Sequence, residues 1–256
     1  DAGASTIEVK LWNMGVSSFE VSDNGRGIDR ANYGSIALNH TTSKLREFSD
    51  LTSVTSFGFR GEALHALCEL SGRCSITTKQ EEEEVGTALE FAPTGELHKS
   101  KPHPRPKGTT VLVEKLFEKL PVRRSDFERS IKKHYQRLVR VLQSYCVIAV
   151  GVRIVVTNIQ VASNGKVSTS TVLATQGSKR MEDNISSVFG TKFLGTLVKV
   201  HSSTQMGSSQ ELLAEVPSST QSQPSPPCSS TPGMDQGQGE GQVEAAEAGG
   251  GRGGEG

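Results

Sequence analysis

The chain has 256 residues with 28 basic and 28 acidic side chains, so its formal charge is balanced, and 34% of it is hydrophobic. That length allows one or two domains, and its strongest apolar run, Cys146–Val150, is far short of the ~20 residues a membrane-spanning helix needs. Four cysteines at irregular spacings, with no Cys-x-x-Cys, argue against a zinc site, and three of them, in apolar surroundings, read as buried reduced thiols, which favours a reducing compartment.

Thr6–Leu11 alternates, with Ile7, Val9 and Leu11 on one face, and predicts a half-buried strand. Asn13-Met14-Gly15 supplies a turn, and Phe19–Ser22 predicts a second strand, antiparallel to the first, that runs into Asp23-Asn24-Gly25-Arg26-Gly27-Ile28. Asp29 is placed to cap a short helix reaching about Asn39. His40–Gly61 is polar, Ser/Thr-rich and without period, and such long segments serve as lids or binding loops. Glu62–Leu70 predicts a helix; Cys74–Lys79 and Gly86–Phe91 predict a strand pair, with Glu81–Glu84 at its tip. Lys101–Gly108 holds three prolines and reads as extended, and Thr109–Glu114 predicts a strand. Ser125-x-x-Glu128 has the form of a capping box for a helix whose apolar residues, Phe127, Ile131, Tyr135, Leu138, Leu142 and Tyr145, recur every three or four positions, ending near Gly151. Arg153–Thr157 and Val167–Leu173 predict two strands around an Asn164-Gly165 turn, Arg180–Phe189 a short helix and Leu194–Val200 a strand. Beyond His201 the chain is Ser, Thr, Gln and Pro, then Gly and Glu, and residues 194–256 contain no aromatic. Such a composition cannot bury enough apolar area to offset ordering entropy and predicts disorder.

Four short stretches carry candidate chemistry. Gly58-Phe59-Arg60-Gly61 opens onto a helix, and free amides at a helix N-terminus favour phosphate; a plain loop fits as well. Asp23-x-Gly25-x-Gly27 fits a tight turn, or a carboxylate that accepts the exocyclic amine of adenine while the glycines let backbone lie flat against the base. Thr41-Thr42-Ser43-Lys44 is a polar surface loop or a set of hydroxyls and one cation for phosphate oxygens. Gly108-Thr109-Thr110 is ordinary strand packing or a hydroxyl near an adenine pocket.

In this order, Asp-x-Gly-x-Gly, the Ser/Thr-rich segment, Gly58-Phe59-Arg60-Gly61-Glu62-Ala63-Leu64 and Gly-Thr-Thr resemble the GHKL ATPase superfamily, which joins gyrase, Hsp90, histidine kinases and MutL. Gly58–Leu64 is similar to the signature of MutL, the DNA mismatch-repair family. Asp1-Ala2-Gly3-Ala4, Leu116-Phe117 and Leu120-Pro121-Val122-Arg123 match MutL proteins too. The resemblance covers about residues 1–200 and points to the eukaryotic PMS branch.

That resemblance implies an α+β fold of the GHKL (Bergerat) type, a two-layer sandwich with a mixed sheet backed by helices. It implies an ATPase domain over 1–178 lacking its first helix, the beginning of a transducer domain over 179–205 and a disordered low-complexity tail over 206–256. Asp23, Gly25 and Gly27 would hold the adenine of ATP. Thr42, Ser43, Lys44 and the backbone of Gly58, Phe59, Arg60, Gly61, Glu62, Ala63 and Leu64 would hold its phosphates, and Thr109 and Thr110 would complete the adenine side. The family's general-base glutamate and magnesium-binding asparagine stand seven and three residues before the Asp that matches Asp1, so both positions fall before this chain's first residue. The resemblance implies ATP and Mg2+ as cofactors, and the expectation is a chain that as given binds ATP without hydrolysing it and has no catalytic residue of its own. Asn184–Gly190 resembles the start of the transducer domain, and nothing after His201 resembles the part that supplies a lysine to the γ-phosphate.

The family further implies double-stranded DNA bound without sequence preference, a second MutL-type subunit as heterodimer partner, MutS-type mismatch-recognition proteins, and the nucleus. Residues 121–140 fit a DNA contact, with seven basic residues (Arg123, Arg124, Arg129, Lys132, Lys133, Arg137, Arg140) against Asp126 and Glu128; the solvated face of an amphipathic helix fits as well. Two other functions stay open on sequence: a different GHKL ATPase of topoisomerase or chaperone type, and a non-catalytic DNA-binding or scaffold protein.

Overall fold

The computed structural model describes residues 1–41, 61–162 and 164–198. The low-complexity stretch beyond His201 and most of the segment from His40 to Gly61 lie outside the described residues.

Eight strands form one sheet: β1 (Thr6–Trp12), β2 (Ser18–Asp23), β3 (Ser71–Lys79), β4 (Gly86–Phe91), β5 (Leu97–His103), β6 (Gly108–Leu116), β7 (Arg153–Val161) and β8 (Val167–Ala174). Their order across the sheet is β5-β4-β3-β6-β2-β1-β7-β8. β1 and β7 are parallel and every other neighbouring pair is antiparallel, so the sheet is mixed.

Residues directly opposite one another share a face, and the register therefore writes out the helix-bearing face as rows. One row runs Leu11, Phe19, Val113, Cys74, Phe91 across β1, β2, β6, β3 and β4. The next runs Val9, Val21, Val111, Ile76, Leu89. Both are apolar, and Ile76, Leu89 and Val113 are fully buried. Each such side chain contributes about 1.5–3 kcal/mol on burial. The third row starts at Ile7 and then turns polar, with Asp23, Thr109 and Thr78. The opposite face carries Lys10 paired with Glu20 at 3.0 Å and Arg73 paired with Glu90 at 2.7 Å and Glu114 at 3.2 Å, as suits a solvated surface.

Two helical groups cover the apolar rows. α1 (Ala63–Leu70) lays Leu64, Leu67 and Cys68 on β3, β4 and β6, together with Tyr33 and Ala37. α2 (Pro121–Arg129) leads into α3 (Ile131–Ile148), whose Leu138, Leu142 and Cys146 lie over Val9, Leu11, Ile154 and Val156. α4 (Met181–Phe189) joins this second core through Val188, and its buried Asn184 donates to Val147 O and Ala149 O. A short α5 (Thr191–Leu194) follows. Cys68, Cys74 and Cys146 are buried and free, and among the described residues no helix is long and apolar enough to cross a membrane.

The structure departs from the sequence expectations at four places. The expected helix after Asp29 is one 3-10 turn, Arg30–Asn32, followed by turns; Asp29 does cap it, accepting from Ala31 N at 2.8 Å. Leu97–His103, expected as extended only from Lys101, is the full edge strand β5, whose lysines and Pro102 suit an unpaired edge. The capping box at Ser125 does not form. Pro121 starts the helix four residues earlier, its missing N–H costing nothing at a first position, and Glu128 pairs instead with Arg124. Leu194–Val200 is not a strand over its described part: beyond the left-handed Gly190 (φ 88°) the chain turns helical again, and Phe193 packs on Phe189 with ring centroids 5.1 Å apart.

Candidate functional site

The polar row lies where β2 ends. Asp23 Oδ1 accepts from Gly25 N at 2.8 Å, which closes the turn after the strand. Asn24 fastens that turn to the start of β1: its Oδ1 accepts from Ser5 N and Thr6 N, both at 2.9 Å, and its Nδ2 donates to Ser5 Oγ at 2.9 Å. Arg26 N donates to Ala2 O at 2.9 Å. At the far side of the turn, Ile28 N donates to the buried hydroxyl of Thr78 at 2.8 Å. Residues 23–28 are thus fixed at both ends.

The glycines of this turn have a reason inside the protein. Gly27 has φ +80°, and a Cβ there would meet Lys79 O at 2.3 Å; a Cβ on Gly25 would meet the Ala2 side chain at 2.7 Å. Gly108 has φ +124°, and a Cβ there would meet Asp23 O at 2.0 Å. Close approach of this chain's own segments gives all three a reason within the fold.

Thr109 and Thr110 separate. Period two puts Thr109 in the row with Asp23 and turns Thr110 to the other face, where its Oγ1 lies 2.8 Å from Ser22 Oγ. Only Thr109 shares a face with Asp23. Two residues unremarked in the sequence join the site. Thr78 Oγ1 lies 3.3 Å from both Gly108 O and Thr109 Oγ1. Arg105 donates to Thr77 O, to Pro106 O at 3.0 Å and to Asp23 O at 3.5 Å. Burial lowers the Arg105 guanidinium pKa, and the Asp23 and Glu20 carboxylates oppose that shift.

Thr42, Ser43, Lys44, Gly58, Phe59 and Arg60 lie outside the described residues. The flanks of that segment meet: Gly61, with φ +65°, sits so close to Thr41 that a Cβ would lie 2.1 Å from Thr41 O. Glu62 precedes α1 and Ala63 opens it, both exposed, and no side chain caps this helix end. Leu64 turns inward to the core. Among the described residues no group of three or more His, Cys, Asp or Glu is arranged to hold a metal ion.

The basic residues of α2 and α3 divide in two. Arg124 is pinned into the fold: its Nη1 donates to Val16 O at 3.0 Å and Leu116 O at 2.9 Å, and its Nε pairs with Glu128. These contacts tie its Nη1 and Nε into the fold. Arg123 sits over the Phe117 ring, 5.5 Å from its centroid, and Arg129 pairs with Asp126 at 3.0 Å. Lys132, Lys133 and Arg137 are exposed. They carry no ion pair among the described residues. Between α3 and the β1–β2 part of the sheet lies an apolar cavity of about 750 Å³, lined by Val9, Phe19, Val21, Leu138 and Leu142 among others.

A mixed sheet with helices on one face, and an Asp-x-Gly-x-Gly turn at the end of an inner strand, define the fold of the GHKL ATPase domains. The ATPase domain of Aquifex aeolicus MutL, solved with ADP, has this fold: TM-score 0.52 at 21% identity, covering 74% of this chain and 62% of that one. The solved N-terminal domain of a DNA repair protein superposes with TM-score 0.63 at 37% identity, over 75% of this chain and 53% of that one. No family model matches the chain. Among curated proteins, the mismatch repair endonuclease PMS2 of Mus musculus is 50% identical over 198 residues, 77% of this chain and 22% of that protein. The DNA mismatch repair protein PMS1 of Arabidopsis thaliana is 47% identical over 190 residues, 74% of this chain and 20% of that protein. The chain belongs to the MutL family of DNA mismatch-repair proteins, in its PMS branch. It spans about a fifth of the length of these relatives.

Proposed function

We propose that residues 1–178 form the nucleotide-binding domain of a mismatch-repair ATPase, with the start of a transducer domain after it, and with adenine recognised at the Asp23–Thr109 end of the sheet. The observation that carries this reading is the polar third row on an otherwise apolar face: an acceptor-only carboxylate and a hydroxyl side by side, held by a turn anchored at both ends. That pairing suits a base edge that offers an amine donor beside a ring acceptor. Asp23 accepts the amine, and Thr109 serves the neighbouring ring nitrogen. In the same reading Thr42, Ser43, Lys44 and the backbone from Gly58 to Leu64 bind the phosphates, and nucleotide binding orders the segment from His40 to Gly61. Bound ATP supplies the γ-phosphate that distinguishes one state of the domain from the other.

Two further parts of the proposal concern partners. Lys132, Lys133 and Arg137, with Arg123 beside them, make a sequence-independent contact to the phosphates of double-stranded DNA. Nucleotide binding favours association with the N-terminal region of a second MutL-type subunit, in a nuclear repair complex that works with MutS-type mismatch-recognition proteins.

The test is a titration of ADP and a non-hydrolysable ATP analogue into the chain, beside its Asp23→Asn variant. Asparagine puts an amide where the carboxylate accepts, and the expected loss is about 10- to 100-fold, the size of a hydrogen bond to a charged group. Equal affinity in the two proteins, or no binding by the unsubstituted chain, refutes the reading.

A further inference from the structure

Thr78 has no part in the motifs that led to the site, yet its hydroxyl meets three other groups there. Its hydroxyl is wholly buried, it accepts from Ile28 N at 2.8 Å, and it faces two further oxygens, Gly108 O and Thr109 Oγ1, each at 3.3 Å. A threonine hydroxyl has one proton and two lone pairs. Ile28 fills one lone pair, which leaves two arrangements. The Thr78 proton goes to Gly108 O, and the Thr109 proton then turns inward to Thr78. Alternatively the Thr78 proton goes to Thr109 Oγ1, and the Thr109 proton is free to face the site.

These arrangements present different chemistry beside Asp23. In the first, Thr109 offers only lone pairs, so the Asp23–Thr109 pair is acceptor beside acceptor. In the second it is acceptor beside donor, the complement of an adenine edge. Hypoxanthine reverses that edge, with a carbonyl where adenine has its amine and an N–H at the ring position. We infer that Thr78 is a positioning residue for purine selectivity: by donating to Thr109 it turns the Thr109 proton toward the base and favours adenine over hypoxanthine. The inference rests on the nucleotide reading above. The same hydroxyl also ties the 23–28 turn to β3 through Ile28, so the carboxylate and the hydroxyl are set by one side chain.

The experiment compares ADP and inosine diphosphate binding to the full chain and to Thr78→Val, Thr78→Ser and Thr78→Cys, with the exchange rate of the Ile28 amide read in parallel. The unsubstituted chain should prefer ADP. Thr78→Val, which keeps the shape and removes the hydroxyl, should cut the ADP-to-IDP preference by about tenfold and speed Ile28 exchange. Thr78→Ser should hold the parental preference to within about twofold, since its hydroxyl can make the same bonds. Thr78→Cys, a weak donor of similar size, should fall between the two and carries the test if valine unfolds the protein. An unchanged ADP-to-IDP ratio in both Thr78→Val and Thr78→Cys overturns the inference while leaving the nucleotide reading intact. Equal losses for both nucleotides, not rescued by serine, also overturn it, because they mark a purely structural role. Failure of the unsubstituted chain to bind either nucleotide refutes the nucleotide reading, and the inference falls with it.

Discussion

The Asp23 end of the sheet and the exposed face of α3 both gather polar side chains, but they hold them in opposite ways. At the sheet end the polar groups are short, partly or wholly buried, and bonded into a turn whose two ends are fixed. On α3 they are long cations, Lys132, Lys133 and Arg137, standing in solvent with no ion pair among the described residues. Fixed buried groups discriminate, because a ligand with the wrong donor leaves one of them unpaired. Mobile exposed cations attract any phosphate backbone and read none. Under the proposed function the two regions differ in what a substitution costs: fold and selectivity at the first, salt-dependent affinity alone at the second.

The largest effect belongs to the sheet end. Gly108→Ala puts a Cβ 2.0 Å from Asp23 O at φ +124°, and should cost about 3 kcal/mol or more in chemical denaturation. A loss below about 1 kcal/mol would mean that the turn yields easily, and the contrast with α3 would collapse. Arg124→Ala comes next. It lies among the basic residues of α2 yet should behave like the buried site, since it leaves Val16 O and Leu116 O without their donor; the expected cost is about 1–3 kcal/mol. Arg124→Lys restores the charge but not the two-carbonyl geometry and should recover little of it.

Lys132→Glu with Lys133→Glu sharpens the contrast from the other side. Stability should move by no more than about 0.5 kcal/mol, while the slope of log affinity for duplex DNA against log salt should shrink by about 2. An unchanged slope would remove DNA from this face. The smallest effect is an acid one. Glu83 accepts from Gln80 N at 2.9 Å and from Arg30 Nε at 2.6 Å, and these bonds, the backbone one foremost, hold its carboxyl below the usual carboxylate range. With the folded pKa lower than the unfolded value near ~4.3, this contribution is present above that value and is lost as pH falls through the folded one. Glu83→Gln should lower the neutral plateau of a stability–pH curve slightly and flatten its acid limb, so that the two proteins converge at low pH.

The sequence was most legible where one period ruled. β1 alternates cleanly, and its apolar face followed from that; β6, with Val111, Leu112 and Val113 in a row, was legible from β-propensity instead, and α1 and the body of α3 showed their helical spacing. β5 was partly hidden because an edge strand needs no apolar face, and Leu97–His103 has one leucine among polar residues and Pro102. The start of α2 was misplaced because a local capping pattern at Ser125 competed with a proline that suits a first helical turn. Asp23 and Thr109 were legible through their glycines. Thr78 and Arg105 were not, since they reach their partners, Ile28 and Asp23, across 50 and 82 residues, and only the strand order brings them together.

The parallel pairing of β1 with β7 bears on how the chain acquires this sheet. β2 follows β1 through a tight turn and covers one edge of it almost at once. The other edge waits for a strand that begins at Arg153, and the bond from Met14 N to Asn158 Oδ1 spans 144 residues. Until then, Ile7, Val9 and Leu11 form an apolar strand with open hydrogen-bonding groups, in a nascent or refolding chain that must close a long loop before it can protect them. Any truncation before Arg153 would make that transient edge permanent, and its first observable consequence would be self-association.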